Sequence, residues 1–438
     1  MSCSAFSTPW TVTKHYIPMV NSCKTLCFAQ EPIKAMIVLE GSKSISNRVL
    51  MIRRMCGKGF DIEHISASED TKILSRLLWS DSDVLDAGDA GTTFRFLTSY
   101  LCTLYTTKVL TGSERMKQRP IGALVSALRE LGAKIEYLEE EGFPPLKISP
   151  NPNLGQDRWQ ITIPGDISSQ FISSLMLVAP LLPQGIEISI DGHIYSKPYI
   201  AMTYRIMQRF GANIEFEGNT IRVKPKRYEP KAFYIEGDWS AASYYFSICA
   251  LSKNCAIELI GLKEDSLQGD TVLVKIYKKL GVETEFTEQG IVIRKVETDL
   301  PSMLEWDFKD CPDIAQTVSV TLAALGVSGL FSGLESLTIK ETDRIAALKT
   351  ELSKGEVSLI ELPKRLSGQS DTKYYMQEGK MKINPELRID TYGDHRMAMA
   401  FAPLAIVGEI SLDDPTVVKK SYGGFWKDLE KVGISLGE

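Results

Sequence analysis

Gly41-Ser42-Lys43-Ser44-Ile45-Ser46-Asn47-Arg48-Val49-Leu50-Met51-Ile52 places a polar loop with two cations directly before an apolar run long enough for a buried helix. The unpaired N–H groups of a first helical turn, together with the positive end of its dipole, make such a junction a place for an anion. The arrangement recurs. Gly88-Asp89-Ala90-Gly91-Thr92-Thr93 precedes Phe94 to Leu101, and Gly165-Asp166-Ile167-Ser168-Ser169-Gln170 precedes Phe171 to Leu182. Gly237-Asp238-Trp239-Ser240, Asp310-Cys311-Pro312-Asp313 and Gly393-Asp394-His395-Arg396 lead in the same way into runs ending at Leu251, Leu325 and Ile406. Six polar loops therefore open six apolar helices.

A second signal keeps the same phase. Leu131-Gly132, Phe210-Gly211 and Leu280-Gly281 end helical patterns, with weaker copies at Lys354-Gly355 and Val432-Gly433. Glycine takes the left-handed position that stops a helix, and the alternation after it reads as a half-buried strand. Turns at Glu217-Gly218-Asn219 and Glu288-Gln289-Gly290 return the chain as second strands at Ile221-Arg222-Val223 and Ile291-Val292-Ile293. The glycines stand roughly 70 to 80 residues apart, so the repeat is a whole βαβ-type unit with two helices and a hairpin. From Gly41 to Gly88 the interval is shorter, and the missing part is expected to be the hairpin.

At 438 residues the chain is too long for one compact core. Two domains of three units each follow, one formed by residues 1–40 with 238–438 and the other by 41–237, with a hinge near 40–42 and 236–239. The helix from each polar loop would be buried in the middle of its domain. An apolar share of 44% with 24% charged residues is that of a globular protein. A net charge of −5 without a basic tract argues against nucleic acid, and cations lying singly inside motifs suit small anionic ligands. The eight cysteines show no metal-ligand spacing and the histidines number four, so reduced, mostly buried thiols and a cytoplasmic location are expected. No run of 18 apolar residues exists, which argues against a membrane span. Met1 to Gln30 is expected to be an irregular extension or a poorly packed first strand.

Taken singly, each polar motif also reads as a capped helix start with ordinary charge pairs. Asp394-His395-Arg396 is harder to dismiss, because three ionisable residues at the head of an apolar helix are costly to bury unpaired. Read together, the motifs resemble those of the enolpyruvyl transferases, in the branch acting on shikimate 3-phosphate. The match rests on Ser42 to Arg48, Ala90-Gly91-Thr92, Arg115 to Gly122, Ser168-Ser169-Gln170, Ser196-Lys197-Pro198-Tyr199, Gln268-Gly269-Asp270, Pro312-Asp313, Lys340 to Arg344 and Asp394 to Met399, in the family's order. It covers the chain from about Pro32 onward.

The resemblance implies an α/β fold of two domains, each with three βαβαββ units. It also implies transfer of the enolpyruvyl group of phosphoenolpyruvate to shikimate 3-phosphate with no cofactor or metal, by a monomer. By similarity, Lys43, Ser44, Arg48, Ser168, Ser169, Ser196, Tyr199, Asp313 and Lys340 would bind shikimate 3-phosphate. Lys43, Gly91, Arg119, Gln170, Arg344, Arg396 and Lys420 would bind phosphoenolpyruvate, with Arg95 supporting the Gly91 loop. Asp313 would be the base and Glu341 the acid, with Lys43 and His395 assisting proton transfer; burial would have to offset the cations that keep Glu341 ionised. Asp89, Ser336, Thr338 and Glu40 depart from the family pattern, and Asp89 is expected either to pair with Lys43 or to weaken anion binding. The alternatives are the sister enzyme acting on UDP-N-acetylglucosamine, whose mobile-loop cysteine has no counterpart here, and a non-catalytic anion-binding relative.

Overall fold

The computed structural model describes residues 23–29, 31–165, 168–192, 194–363 and 372–437. The irregular extension or poorly packed first strand expected over Met1 to Gln30 falls mostly on residues outside these, as do Asp166 and Ile167. Cys23–Phe28, however, is a paired strand, running between Ile410–Asp413 and Ile434–Leu436 with Leu26 fully buried. It belongs to the last unit of the chain, which supplies the partners that a sequence window around it lacks.

Among the described residues each of six sheets contains one parallel pair, and five of the sheets are four-stranded. In four of them the pair flanks a polar-loop helix in the chain. Val84–Asp86 and Lys108–Thr111 enclose Gly91–Leu101, for example, and Met303–Asp307 and Ser328–Ser332 enclose Ala315–Leu325. The remaining two pairs are exchanged across the middle of the chain. Ile33–Val38 lies parallel to Cys255–Ile260, and Ile62–Glu63 lies parallel to Phe233–Tyr234. This exchange explains the short first unit: its sheet has only two strands and no hairpin, and one of those strands arrives from far along the sequence.

The crossing itself is a close approach of two backbones. Gly41 and Gly237 form an antiparallel bridge, Ser42 N donates to Glu236 O at 2.8 Å, and Asp238 N donates to Glu40 O at 3.1 Å. A side chain at Gly41 would collide with the carbonyl oxygen of His64, so the glycine is required by space. Gln268 ties the crossing down from outside: its Nε2 donates to Glu236 Oε1 at 3.0 Å and to Gly237 O at 2.8 Å, while its Oε1 accepts from Trp239 N at 3.0 Å.

Two apolar cores lie on either side of the crossing. One runs from Ile45 to Ile235, and the other joins Leu26, Ile33, Ile37 and Leu39 to residues between Trp239 and Ile434. Their centres are the polar-loop helices. Trp239–Leu251, Ala315–Leu325 and His395–Phe401 are buried nearly all round, as their lack of a polar face requires. Small hydroxyls let these helices pack closely: Thr321 Oγ1 donates to Ser247 Oγ at 2.7 Å, and Ser174 Oγ donates to Ser99 Oγ at 2.6 Å. No helix among the described residues is long and apolar enough to cross a membrane.

Two local expectations are corrected. Lys43 to Arg48 lie in the helix Lys43–Met55 and not in a loop, because Asp238 Oδ2 accepts from Lys43 N at 3.2 Å at the helix start and buried hydroxyl and amide bonds hold the polar face. Thr71 Oγ1, for one, donates to Asn47 Oδ1 at 2.8 Å. Gly132, Gly211, Gly281 and Gly433 take the left-handed conformation, but at the weaker copy it is Glu356 that has φ 64°, and Gly355 does not. Gly355 is small for another reason, since a Cβ there would strike the Met381 thioether.

Candidate active site

A cavity of about 520 Å³ opens between the two cores where the helix starts converge. From one side it is lined by Lys43, Ser44, Arg48, Gly91, Arg95, Arg119, Ser168, Ser169, Gln170, Ser196 and Tyr199. Asp313, Lys340, Glu341, Arg344, His395 and Arg396 line it from the other. Lys420 joins through Glu341, with Nζ 3.2 Å from Oε1. The structure thus gathers every site residue expected from the sequence around one space.

Arg344 is the centre of the network. Its Nε and Nη2 reach the two carboxylate oxygens of Asp394 at 2.7 and 3.2 Å, Nη2 also meets Glu341 Oε2 at 2.9 Å, and Nη1 meets Asp313 Oδ1 at 3.3 Å. Asp394 is fully buried and also caps its helix, accepting from Arg396 N at 2.8 Å. Arg396 Nη2 lies 2.9 Å from Asp313 Oδ2, and the Tyr199 hydroxyl donates to the same oxygen at 2.8 Å from the opposite side of the cavity.

These contacts decide the protonation states. Burial alone would raise the Asp313 carboxyl, but Arg396, Lys340 and Arg344 outweigh it and hold the group well below the usual carboxylate range. Burial likewise opposes ionisation of Glu341, and Lys420, Arg344 and Arg119 override it, so this carboxyl too is held far below its ordinary value. The expectation that burial offsets the cations around Glu341 is therefore reversed in this arrangement, for a countable reason: three fixed cations face one buried carboxylate. The Tyr199 phenol is pushed well up by burial and by Asp313, and stays a donor.

His395 is 2% exposed, and neither ring nitrogen has a hydrogen-bond partner among the described residues. Burial first, then Lys43, holds its imidazole well below the ordinary value, so it is neutral at pH 7. The unfolded chain, with a histidine near pH 6.5, takes up the proton first as pH falls. Stability should therefore drop on acidification below that point by up to about 1.4 kcal/mol per pH unit from this residue. Urea titrations of His395→Gln between pH 6.5 and 5 should show a flatter slope than those of the parent; parallel slopes would refute this account.

Several contacts were not legible beforehand. Lys43 Nζ pairs with Asp70 Oδ2 at 3.3 Å, and Lys43 N donates to Asp238 Oδ2 at 3.2 Å. Asp70 sits in the first turn of Glu69–Leu78, inside the shortened unit, where the only signal was a Ser68 cap. Asp89 does not pair with Lys43 as one expectation held, and accepts instead from the Ser113 hydroxyl. Arg95 Nη1 donates to Gly91 O at 3.2 Å, a bond one turn back within the helix Gly91–Leu101 and not to a loop. Arg48 gives its donors mainly to Thr203, Ser173 and the carbonyls of Ser44 and Tyr199, so it offers the cavity charge more than free N–H groups; burial pushes its pKa down to about 10. Asp270, below Asp313, accepts from the Ser240 hydroxyl, and burial raises it to about 7.

Two halves of repeated α/β units, meeting at a cleft in which separate helix starts present cations around two carboxylates, define the enolpyruvyl transferase class. Comparison with known proteins narrows this. A family model described as EPSP synthase (3-phosphoshikimate 1-carboxyvinyltransferase) matches residues 73–429, and the chain belongs to that family. It is 46% identical over 418 residues to the 3-phosphoshikimate 1-carboxyvinyltransferase of Bacteroides fragilis, covering 94% of this chain and 99% of the relative. The protein of the same name from Paraburkholderia phytofirmans is 35% identical over 423 residues, covering 89% and 95%. The solved EPSP synthase of Acinetobacter baumannii shares the fold at a TM-score of 0.70 and 19% identity, covering 95% of this chain and all of that one.

Proposed function

We propose that this cleft joins the 5-hydroxyl of shikimate 3-phosphate to C2 of phosphoenolpyruvate while C3 takes a proton, and then expels phosphate as C3 gives that proton up. The observation that carries the reading is the pairing of Asp313 and Glu341 within one guanidinium network, because addition and elimination need a base at the hydroxyl and an acid at the methylene. Asp313 serves as the base and Glu341 as the acid, with Lys43 and His395 assisting proton transfer.

The two substrates bring roughly six negative charges into one space, and fixed cations and helix N-termini answer them. Ser168, Ser169 and Ser196 take the shikimate phosphate, while Lys43, Ser44, Arg48, Tyr199 and Lys340 hold its ring and carboxylate. Arg119, Gln170, Arg344, Arg396 and Lys420 hold phosphoenolpyruvate, with Lys43 between the two. Phosphate release from phosphoenolpyruvate by purified protein in the presence of shikimate 3-phosphate tests this directly; tight binding of both without release would leave only an anion-binding relative.

Gly91 offers a sharper check. A Cβ at that position would stand 2.7 Å from Arg119 Nη1 and 3.0 Å from Arg95 Nη1, so alanine must displace a guanidinium proposed to bind phosphoenolpyruvate. Gly91→Ala should raise KM for phosphoenolpyruvate by about tenfold or more, the scale of one misplaced charge-assisted contact, with KM for shikimate 3-phosphate little changed. Equal shifts in both constants would speak against Arg119 as a phosphoenolpyruvate ligand.

Residues 1–40 with 238–438 act as one body in this reading and 41–237 as the other, hinged near 40–42 and 236–239. The separate cores and the backbone crossing at Gly41 and Gly237 support it. A monomer in the cytoplasm is the accompanying reading: one chain lines the whole cavity, and the described cysteines are free thiols.

A further inference from the structure

Arg115 lies on the short helix Glu114–Lys117, on the same side of the cleft as Arg119, and its exposed side chain reaches to the opposite side. Nε donates to Glu341 O at 2.9 Å and Nη2 donates to Lys340 O at 3.1 Å, while Nη1 donates to Gln118 Oε1 at 3.3 Å on its own side. The two carbonyls belong to an irregular stretch between the 3-10 turn Glu335–Ile339 and the helix that starts at Arg344. No strand ladder or helix claims them, and they bracket the residue that carries the Glu341 carboxyl. A planar guanidinium presents two N–H groups in a fixed fork that fits two successive carbonyls, which an ammonium cannot do. The base of the fork is anchored as well. Ser113 caps the helix, accepting from Met116 N at 3.2 Å, and Met116 is 1% exposed.

We propose that Arg115 is a positioning residue that latches the two halves of the cleft together and sets the Lys340-Glu341 backbone so that the Glu341 carboxyl faces phosphoenolpyruvate. This rests on the reaction and hinge readings above and adds to them a residue that touches neither substrate. Both bonds exist only while the halves are together, so they bias the equilibrium toward the closed form, and a ligand that needs that form binds more tightly by the same factor.

Arg115→Ala, Arg115→Lys and, as a charge control, Lys117→Ala separate this role from a structural one. Lys117 pairs within its own side, with Nζ 2.9 Å from Glu139 Oε1. Arg115→Ala should raise KM for phosphoenolpyruvate about tenfold and lower kcat severalfold, with an unchanged pH profile because no titrating group is lost. Arg115→Lys should fall between parent and alanine, and Lys117→Ala should stay within about twofold of the parent. At equal shikimate 3-phosphate concentration, small-angle scattering should show Arg115→Ala with a larger radius of gyration than the parent. Kinetic constants and radius within about twofold and within error of the parent would overturn the latch, as would a kinetic loss accompanied by a lowered thermal midpoint and an unchanged radius. The scattering arm needs no turnover. Absence of phosphate release by the parent would therefore overturn the reaction reading alone.

Discussion

Asp313→Asn is expected to lower kcat for phosphate release by about 10³-fold, within the range for loss of a general base. The substitution keeps the shape of the side chain and removes its charge. Arg344 retains both oxygens of Asp394 at 2.7 and 3.2 Å, so its guanidinium is not left uncompensated and the fold should survive. Arg396 loses its carboxylate partner at 2.9 Å, and the Tyr199 hydroxyl loses a charged acceptor at 2.8 Å. Part of the loss should therefore appear as weaker substrate binding. The cations that hold Asp313 ionised also make it a feeble base until substrate anions neutralise them, so its basicity belongs to the loaded cleft. Steady-state kinetics with a thermal midpoint measured alongside decide the matter. A well-folded Asp313→Asn protein with kcat within tenfold of the parent would remove Asp313 from the chemistry.

Glu341→Gln is expected to cost about 10²–10⁴-fold in kcat, the scale of one lost general acid. The proton balance of binding is more informative than the rate. In the cleft described here Glu341 is ionised at neutral pH, because Lys420, Arg344 and Arg119 outweigh burial. To act as an acid it must gain a proton, and the sign of the change follows from the charges: anions that neutralise those three cations remove the force depressing its pKa, and the pKa rises. Binding of shikimate 3-phosphate and phosphoenolpyruvate should then draw a proton from solvent onto this carboxyl. Calorimetry in two buffers of different protonation enthalpy measures the uptake, and subtracting the Glu341→Gln trace removes protons exchanged by the ligands themselves. Identical uptake by parent and variant would rule Glu341 out as the group that is loaded.

The departures at Asp89 and Glu40 show how far residue type alone can mislead. An aspartate beside the Gly91 loop reads as a threat to anion binding, yet its carboxylate is engaged by Ser113. Glu40 Oε1 accepts from Gly424 N at 3.1 Å, which ties the crossing to the C-terminal unit. Neither partner is a near neighbour in sequence.

Helix starts, helix stops and hairpins were readable because near neighbours decide them. A capping serine or aspartate beside an apolar run, a glycine that can turn left-handed, and alternation of period two are all local sterics and local hydrogen bonding. Their regular spacing disclosed the repeat, and with it the two-domain α/β class and the set of loops that present cations. Three things waited for the tertiary structure. The strand exchange that pairs Ile33–Val38 with Cys255–Ile260 joins segments more than 200 residues apart, and no local rule selects a partner at that distance. The pairing of Lys43 with Asp70 and the reach of Arg115 to the Lys340 and Glu341 carbonyls depend on how separate units are set against each other. The charge state of Glu341 depends on the sum of cations delivered by three separate segments of the chain into one buried volume, a quantity that exists only once the chain has closed around it.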